Sequence, residues 1–258
     1  FVAETLAPGE TSAPIAITFT ADRAGGEFSF VDIAHDGRGH SRVDVSGVGR
    51  LTTVPAGDLA DTKIAFARGS VGARDIYVMG PDGSNPVAIA IGAPDDSNPA
   101  WSPDGTKIAF QTDRDGDREI YVMNADGTSP VNITNDSYRD QSPHWSPDGT
   151  QIVYVHRGEV EGGATNDIYV MNTDGTAQTP LVTGPGDDRR PIWSPDGQKV
   201  AFFSSDARGT DLFSINADGT GLTRLTDGSV YREYPRWSPD GSQIAFTGEG
   251  DGAGGEES

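Results

Sequence analysis

Apolar residues occur along the chain in short runs, separated by clusters of Gly, Pro, Asp, Asn and Ser. One run has the form Ile108-Ala109-Phe110, and a second has the form Ile120-Tyr121-Val122-Met123. These runs lack the 3.6-residue period of an amphipathic helix, and β-branched and aromatic residues are frequent in them. The pattern therefore predicts an all-β chain of short strands joined by tight turns.

The runs belong to a repeat that is marked by the pentapeptide Trp-Ser-Pro-Asp-Gly. It begins at Trp101, Trp145, Trp193 and Trp237, at separations of 44, 48 and 44 residues. In the first three units the pentapeptide is followed by a first apolar run, a second apolar run and an Asp-Gly turn. A weaker apolar run then completes the unit as its fourth predicted strand. Four-stranded antiparallel units at this period predict the blades of a β-propeller, because one such sheet cannot bury both of its faces alone.

The pentapeptide itself is interpreted as a structural turn. Proline sets φ at the second turn position, aspartate accepts a hydrogen bond from its own backbone, and glycine adopts positive φ. The preceding tryptophan is expected to pack against the neighbouring blade. Trp101, Trp145, Trp193 and Trp237 are therefore predicted to be structural repeat residues.

The repeat units divide the chain into three predicted regions. Residues 51–247 contain about four and a half blades, since the unit around Lys63 lacks a tryptophan turn and the last unit ends after its first run. Residues 1–50 alternate like strands but do not fit the repeat, and 248–258 form an acidic, glycine-rich tail that is predicted to be flexible. Because a propeller hides its strand edges by closing, we expect the chain to be a fragment of a larger propeller.

The repeat also carries a family resemblance. WSPDGxxIAF followed by IYVMNADG, over about residues 62–247, resembles the WD-like repeat of the TolB propeller family. The resemblance implies a propeller, commonly six-bladed, in a periplasmic, secreted or cell-surface protein, and the same repeat serves as the propeller of some prolyl-oligopeptidase-like serine hydrolases. Residues 1–50 resemble the end of an immunoglobulin-like module of bacterial surface proteins, which implies a β-sandwich remnant.

Charge and composition exclude several classes of partner. The chain has 19 Lys and Arg against 39 Asp and Glu, a formal charge of −20, and no cysteine. Such a surface repels nucleic-acid phosphates and anionic lipids, so neither nucleic acid nor membrane insertion is expected. No apolar run reaches the 18 or so residues of a transmembrane helix. Disulfides and thiolate metal sites are excluded outright.

The sequence offers no catalytic constellation. It lacks the Gly-x-Ser-x-Gly nucleophile elbow and the glycine-rich phosphate loops, and its four histidines do not assemble into a triad. No cofactor is predicted except for calcium as an open alternative. Alternating carboxylates at Asp113, Asp115, Asp117 and Glu119 could converge on Ca²⁺, although acidic turn residues are also common without an ion.

A second acidic column precedes the second run of successive units and comprises Asp75, Glu119, Asp167 and Asp211. These residues are interpreted as strand-end carboxylates that bond a neighbouring backbone N–H or arginine. A ring of repeated ion sites is the alternative.

The predicted binding surface lies on the loops that vary between units. In an up-and-down blade the turns after strands one and three share one face, here the stereotyped Asp-Gly turns, while the loops after strands two and four share the other. Variable loops on a rigid scaffold commonly carry recognition, and arginine and tyrosine are frequent interface anchors. The predicted binding residues on this face are Tyr138, Arg139, Arg189, Arg190, Tyr231, Arg232 and Tyr234.

The sequence thus predicts a non-catalytic scaffold that binds a protein or peptide in an extracytoplasmic protein. Two alternatives stay open. One is the substrate-gating propeller of a prolyl-oligopeptidase-like peptidase whose catalytic domain lies outside this chain. The other is a calcium-stabilised structural module of the cell surface.

Overall fold

A computed structural model describes residues 31–34, 41–43, 63–80, 83–92, 95–160, 163–206, 209–226 and 232–248. Within these ranges every regular element is a β-strand. In chain order the strands are β1 (Val31–Ala34), β2 (Ser41–Val43), β3 (Lys63–Ser70), β4 (Ala73–Met79), β5 (Val87–Ala90), β6 (Ser97–Trp101), β7 (Lys107–Thr112), β8 (Glu119–Asn124), β9 (Val131–Asn132), β10 (Arg139–Trp145), β11 (Gln151–Val160), β12 (Gly163–Asn172), β13 (Thr179–Val182), β14 (Asp187–Trp193), β15 (Lys199–Asp206), β16 (Gly209–Asn216), β17 (Thr223–Arg224), β18 (Arg232–Trp237) and β19 (Ile244–Gly248).

The strands form five antiparallel sheets that follow the sequence repeat. Three of them are four-stranded meanders in the orders β6-β7-β8-β9, β10-β11-β12-β13 and β14-β15-β16-β17. The first sheet has the order β2-β1-β3-β4-β5, and the last consists of β18 and β19. The prediction of an all-β chain built of four-stranded propeller blades is confirmed.

The first sheet contains β1, a strand that lies outside the predicted repeat. β1 pairs antiparallel with β3, with Val31 opposite Phe66 and Ile33 opposite Ile64, and so takes the position that β6 holds beside β7. These residues belong to the segment 1–50, which the sequence predicts to be separate from the repeat because no tryptophan turn precedes Lys63. β2 of the same predicted immunoglobulin-like segment pairs with β1, with Val31 opposite Val43. The other residues of that segment lie outside the described residues, as does the predicted tail from residue 249 onward.

Successive sheets pack on one another through their tryptophans. Trp145 is buried in a cluster with Ala100, Ala109 and Ile120 of the preceding blade. Its Nε1 donates a hydrogen bond of 3.0 Å to the carbonyl oxygen of Ala100. The other three tryptophans pack on apolar residues of their preceding sheets, in separate clusters. Burying an aromatic side chain of this size contributes on the order of 3 kcal/mol, so each tryptophan joins two blades.

The Ser-Pro-Asp-Gly turn closes on itself. Ser102 Oγ donates to Asp104 Oδ1 at 2.6 Å and accepts from the Lys107 amide at 2.9 Å, while the Thr106 amide donates to Asp104 at 3.0 Å. Gly105 has a φ of 68°, a left-handed conformation that glycine adopts without steric cost. The serine and backbone donors hold the pKa of Asp104 below its usual range. The aspartate is therefore used in turn formation.

No described residue lies in a helix with the length and apolarity that crossing a membrane requires.

Candidate functional site

The first strands of adjacent sheets contact one another, which places β6, β10, β14 and β18 nearest the common axis of the blades. Each of these inner strands contains a bulge, seen as a register shift against the second strand of its blade. Two of the predicted binding residues, Arg190 and Tyr234, lie within these bulges.

The same residue of every bulge has positive φ although it is not glycine. These residues are Asn98, Ser142, Arg190 and Tyr234, with φ between 51° and 59°, and we call them the bulge column. Each lies three positions before a repeat tryptophan and directly before a proline. Because the residue before proline is sterically restricted and bulky residues avoid positive φ, the surrounding blade must impose this conformation.

Neighbouring members of the bulge column contact one another across blades. Asn98 Nδ2 donates to Gln111 Oε1 at 2.7 Å and lies 3.4 Å from Ser142 Oγ. The Ser142 amide donates to the same Gln111 oxygen at 3.0 Å. One blade further on, the Arg190 guanidinium lies 4.0 Å from the centroid of the Tyr234 ring. The bulge column thus makes two inter-blade contacts, one between Asn98 and Ser142 and one between Arg190 and Tyr234.

A row of buried carboxyl groups accompanies the bulge column. Asp96, Asp140 and Asp188 each lie five residues before a repeat tryptophan, and each is almost completely buried. Opposite them on the second strands are Thr112, His156 and Ser204, respectively. The blades therefore share the inner-strand aspartate but differ in the residue that faces it.

The acids on the third strands bond the ends of their own blades. Glu119 accepts the hydroxyl of Thr134 and, at 3.1 Å, the amide of Asp136. Asp211 accepts the hydroxyl of Thr226 at 2.9 Å and pairs with Arg224 at 2.5 Å. Asp167 accepts the Gly184 amide at 3.4 Å. At these three positions of the acidic column the carboxylates accept hydroxyl, amide or arginine donors of nearby residues.

Inner-strand and third-strand acids of adjacent blades lie close enough to perturb each other. Burial raises the pKa of Glu119 to about 7, and the charge of Asp140 adds to the effect. Burial likewise raises the pKa of Asp188 to about 7, with Ser204 opposing it and the charge of Asp167 adding to it. A pair of buried carboxyl groups holds a proton more easily than an isolated carboxyl in water.

His156 lies at the centre of the most elaborate part of this row. Its Nδ1 lies 2.8 Å from Asp140 Oδ1, and its ring packs on Tyr138 at 5.0 Å and on Tyr169 at 4.5 Å between centroids. Burial opposes the charged imidazolium, but the bond to Asp140 outweighs it, so the pKa of His156 is raised overall. The sequence did not predict a role for His156, because its partners Asp140 and Asp136 lie on another strand and on a loop.

Arginine pairs attach the loop before β6 to its neighbours. Arg74 Nε and a terminal nitrogen bond Asp95 at 2.7 and 2.6 Å, a bidentate pair between adjacent blades. Arg114 donates to both oxygens of Asp96 at 3.1 and 3.2 Å. Burial raises the pKa of Asp96, although Thr112 and Arg114 oppose the shift. The Arg74 pair therefore joins two blades, whereas the Arg114 pair lies within one blade.

The structure brings some of the predicted binding residues together and separates others. Tyr138 is 40% exposed beside His156, and Arg190 stacks on Tyr234. Arg189 pairs with Asp187 through its Nε at 2.8 Å. Arg139 is exposed at the start of β10. Tyr231 and the side chain of Arg232 lie outside the described part of the chain.

The predicted calcium loop does not gather its four carboxylates. Asp115 accepts the hydroxyl of Tyr121, Glu119 is occupied by Thr134 and Asp136, and Asp117 is exposed. Among all described residues, three metal-ligating side chains meet instead at Asp136, Asp140 and His156. The hairpin between β7 and β8 directs its carboxylates toward different neighbours, which spacing along the sequence does not reveal.

The repeat that builds these blades matches a known propeller family. A family model described as "TolB beta propeller domain" matches residues 35–164 and 159–255. The chain belongs to the TolB beta propeller family. The resemblance noted in the repeat is thereby confirmed, and the family match extends into the region before residue 51.

Solved structures of TolB-type propellers share the fold. A protein assigned as TolB from Agrobacterium tumefaciens is 24% identical with a TM-score of 0.63, over 88% of this chain and 79% of that one. TolB from Acinetobacter baumannii is 22% identical with a TM-score of 0.65, over 77% of this chain and 49% of that one. The chain thus spans about half the length of the second relative. No curated protein matches the sequence.

The TolB-type fold is also shared with an enzyme. A puromycin-hydrolysing peptidase of Mycobacterium tuberculosis is 15% identical with a TM-score of 0.54, over 68% of this chain and 32% of the peptidase. At this level of identity the likeness concerns the fold alone.

Proposed function

We propose that this TolB-type propeller is a non-catalytic scaffold that binds a protein or peptide segment through its variable-loop face. The observation that carries the proposal is the bulge column, in which Arg190 and Tyr234 are held at positive φ and stacked on each other near the axis. Strained backbone that a fold imposes on bulky polar residues concentrates at functional sites. Arginine and tyrosine in such a position are preorganised interface anchors.

The chemistry of the partner follows from the net charge of the chain. The formal charge of −20 creates a negative potential that attracts cationic segments. Exposed tyrosine at Tyr138 offers a ring face to lysine or arginine side chains. We therefore expect a peptide segment rich in lysine and arginine, and neither nucleic acid nor a membrane as the partner.

The absence of a catalytic role and the extracytoplasmic location belong to the same proposal. The sequence carries no nucleophile elbow, and the described acids of the face are largely occupied by arginine, hydroxyl and amide partners. The location is supported by membership of the TolB propeller family and by the TolB structures that share the fold.

Selection from a phage-displayed library of random peptides on the immobilised chain tests the proposal. We expect basic sequences to be enriched, and synthetic copies of them to bind at least tenfold more weakly to a chain with Arg190→Ala and Tyr234→Ala. Lys199→Ala is the matched control, because it removes one positive charge from the opposite face of the same blade. Failure to enrich any sequence, or equal binding to the double variant and the control, would overturn the proposal.

A second candidate function is the substrate-gating propeller of a serine peptidase. The fold shared with the Mycobacterium tuberculosis peptidase, of which this chain covers 32%, favours it. Sequencing the native gene on both sides of this segment discriminates between the candidates. An α/β-hydrolase segment with a Gly-x-Ser-x-Gly elbow supports the gate, whereas further blades and surface modules support the binding scaffold.

A further inference from the structure

We propose that Asp136, Asp140 and His156 form a binding site for one divalent first-row transition-metal ion of the Zn²⁺ class. One ligand atom of each side chain lies within 4.8 Å of the other two. Asp136 belongs to the loop before β10, Asp140 to β10 and His156 to β11. Three donors on two strands and one loop therefore converge at the variable-loop end of a single blade.

An independent observation at Asp140 favours a bound cation at this place. Its side chain is 0% exposed, and its Oδ1 lies 2.8 Å from His156 Nδ1. Its other oxygen, Oδ2, is buried and accepts no hydrogen bond from the described residues, since the nearby Thr134 hydroxyl donates to Glu119 instead. A buried carboxylate oxygen without a donor is costly, and a bound cation removes that cost.

The surrounding residues orient the three donors. The Tyr138 amide donates to Asp136 Oδ1 at 2.7 Å, and the Asp136 amide donates to Glu119 at 3.1 Å, which fixes the loop. The His156 ring is held between Tyr138 and Tyr169. Supporting contacts of this kind are typical of metal sites, where they set the orientation of each ligand. Because Asp136 is exposed, an ion can reach the site from solvent.

The donor set determines the class of ion and the stoichiometry. One imidazole nitrogen with two carboxylates suits Zn²⁺, Co²⁺ or Mn²⁺, whereas Ca²⁺ prefers six to eight oxygen ligands. The adjacent blades place Thr112 and Ser204 opposite their inner-strand aspartates, so they lack the nitrogen donor. We therefore expect one ion per chain from this site.

Titration of the metal-free chain with Zn²⁺ by calorimetry, and with Co²⁺ by visible absorption, tests the proposal. We expect saturable one-to-one binding, and Co²⁺ ligand-field bands that Zn²⁺ displaces. Asp136→Asn and His156→Gln should each weaken Zn²⁺ binding at least tenfold. Asp117→Asn, which neutralises an exposed carboxylate of the same face, should leave the affinity unchanged.

Circular dichroism of each variant separates lost ligation from lost folding. Asp136 is exposed, so Asp136→Asn keeps the test decisive even if His156→Gln fails to fold. Absence of saturable Zn²⁺ binding overturns the proposal, and so does binding that survives Asp136→Asn unchanged. Because the probe is an ion alone, the outcome does not depend on whether the chain binds a peptide.

Discussion

Arg190 and Tyr234 are 44 residues apart in the sequence, yet the Arg190 guanidinium lies 4.0 Å from the centroid of the Tyr234 ring. Both residues occupy the same place in successive repeats, directly before a proline in the inner-strand bulge. The contact therefore joins two blades near the axis through side chains of their inner-strand bulges.

This contact predicts an energetic coupling that a double-mutant cycle measures. Arg190→Ala and Tyr234→Ala should together cost less unfolding free energy than the sum of the two single changes. The expected difference is about 0.5–2 kcal/mol, the range of cation–π pairs from exposed to desolvated sites. Urea unfolding of the four chains provides the values. Strict additivity would mean that the two residues do not interact in solution.

The Asp-Gly turn after the third strand predicts a difference between two equivalent glycines. Gly127 has a φ of 86°, and a Cβ there would lie 2.2 Å from the carbonyl oxygen of Ile89 in the preceding blade. Gly83 has a φ of 80° but has no atom within 4 Å of such a Cβ. Gly83→Ala should lower the free energy of unfolding by about 1–2 kcal/mol, because alanine is strained at this positive φ.

Gly127→Ala should cost roughly 1–3 kcal/mol more than Gly83→Ala, because the two blades must also move apart. Chemical unfolding of both variants gives the comparison. Equal destabilisation would show that the Gly127 turn does not approach the neighbouring blade as closely as the structure has it.

Because of the buried Asp188, we expect the free energy of unfolding to fall as pH rises. Burial, with the charges of Asp167 and Asp187, raises its folded-state pKa to about 7 from 3.8, while Ser204 opposes the shift. The folded chain then binds the proton more tightly than the unfolded chain. The stabilising contribution is complete below about pH 4 and is lost as pH rises to about 7, by on the order of a few kcal/mol.

Asp188→Asn should therefore raise the free energy of unfolding at pH 8 and flatten its dependence between pH 4 and 7. Asp126→Asn, an exposed turn position on the opposite face, serves as the control. Urea unfolding across this pH range measures the difference between the variants. If wild type and Asp188→Asn keep parallel profiles, Asp188 is ionised in the folded chain.

The hairpin Asp113–Glu119 predicts the response of the chain to calcium. Because Asp115 and Glu119 are committed to different partners, we expect the Tm in EDTA and in millimolar Ca²⁺ to agree within about 1 °C. Differential scanning calorimetry measures both values. A larger rise that disappears in Asp115→Asn would favour the alternative of a calcium-stabilised surface module.

Much of the blade could be predicted because its determinants are local. The Ser-Pro-Asp-Gly turn is closed by residues within five positions of one another, as Ser102, Asp104 and Lys107 show. The alternating strands and their order follow from these turns. The pairing of Val31–Ala34 with Lys63–Ser70 was not predicted, because the two strands lie about thirty residues apart with no tryptophan turn between them.

The candidate site was less accessible to sequence reasoning. Tyr138, Arg190 and Tyr234 were predicted to bind a partner from their residue types and variable positions. The positive φ that Arg190 shares with Asn98 was not predicted. In the sequence the bulge column is marked only by its position, directly before a proline and three residues before each tryptophan. Nothing in that position predicts a positive φ. The four acids of one loop were likewise chosen for calcium by proximity in sequence.

The repeated all-β unit, its turns, its negative charge and its membership of the TolB propeller family could all be inferred from the sequence, because they depend on residue type and on neighbours along the chain. The side chains that meet between and beside the blades are specified by the folded packing instead. His156 reaches Asp140 and Asp136 because antiparallel pairing brings residues 16 and 20 positions away to one strand end. Contacts of that kind depend on register and burial, which no local pattern specifies.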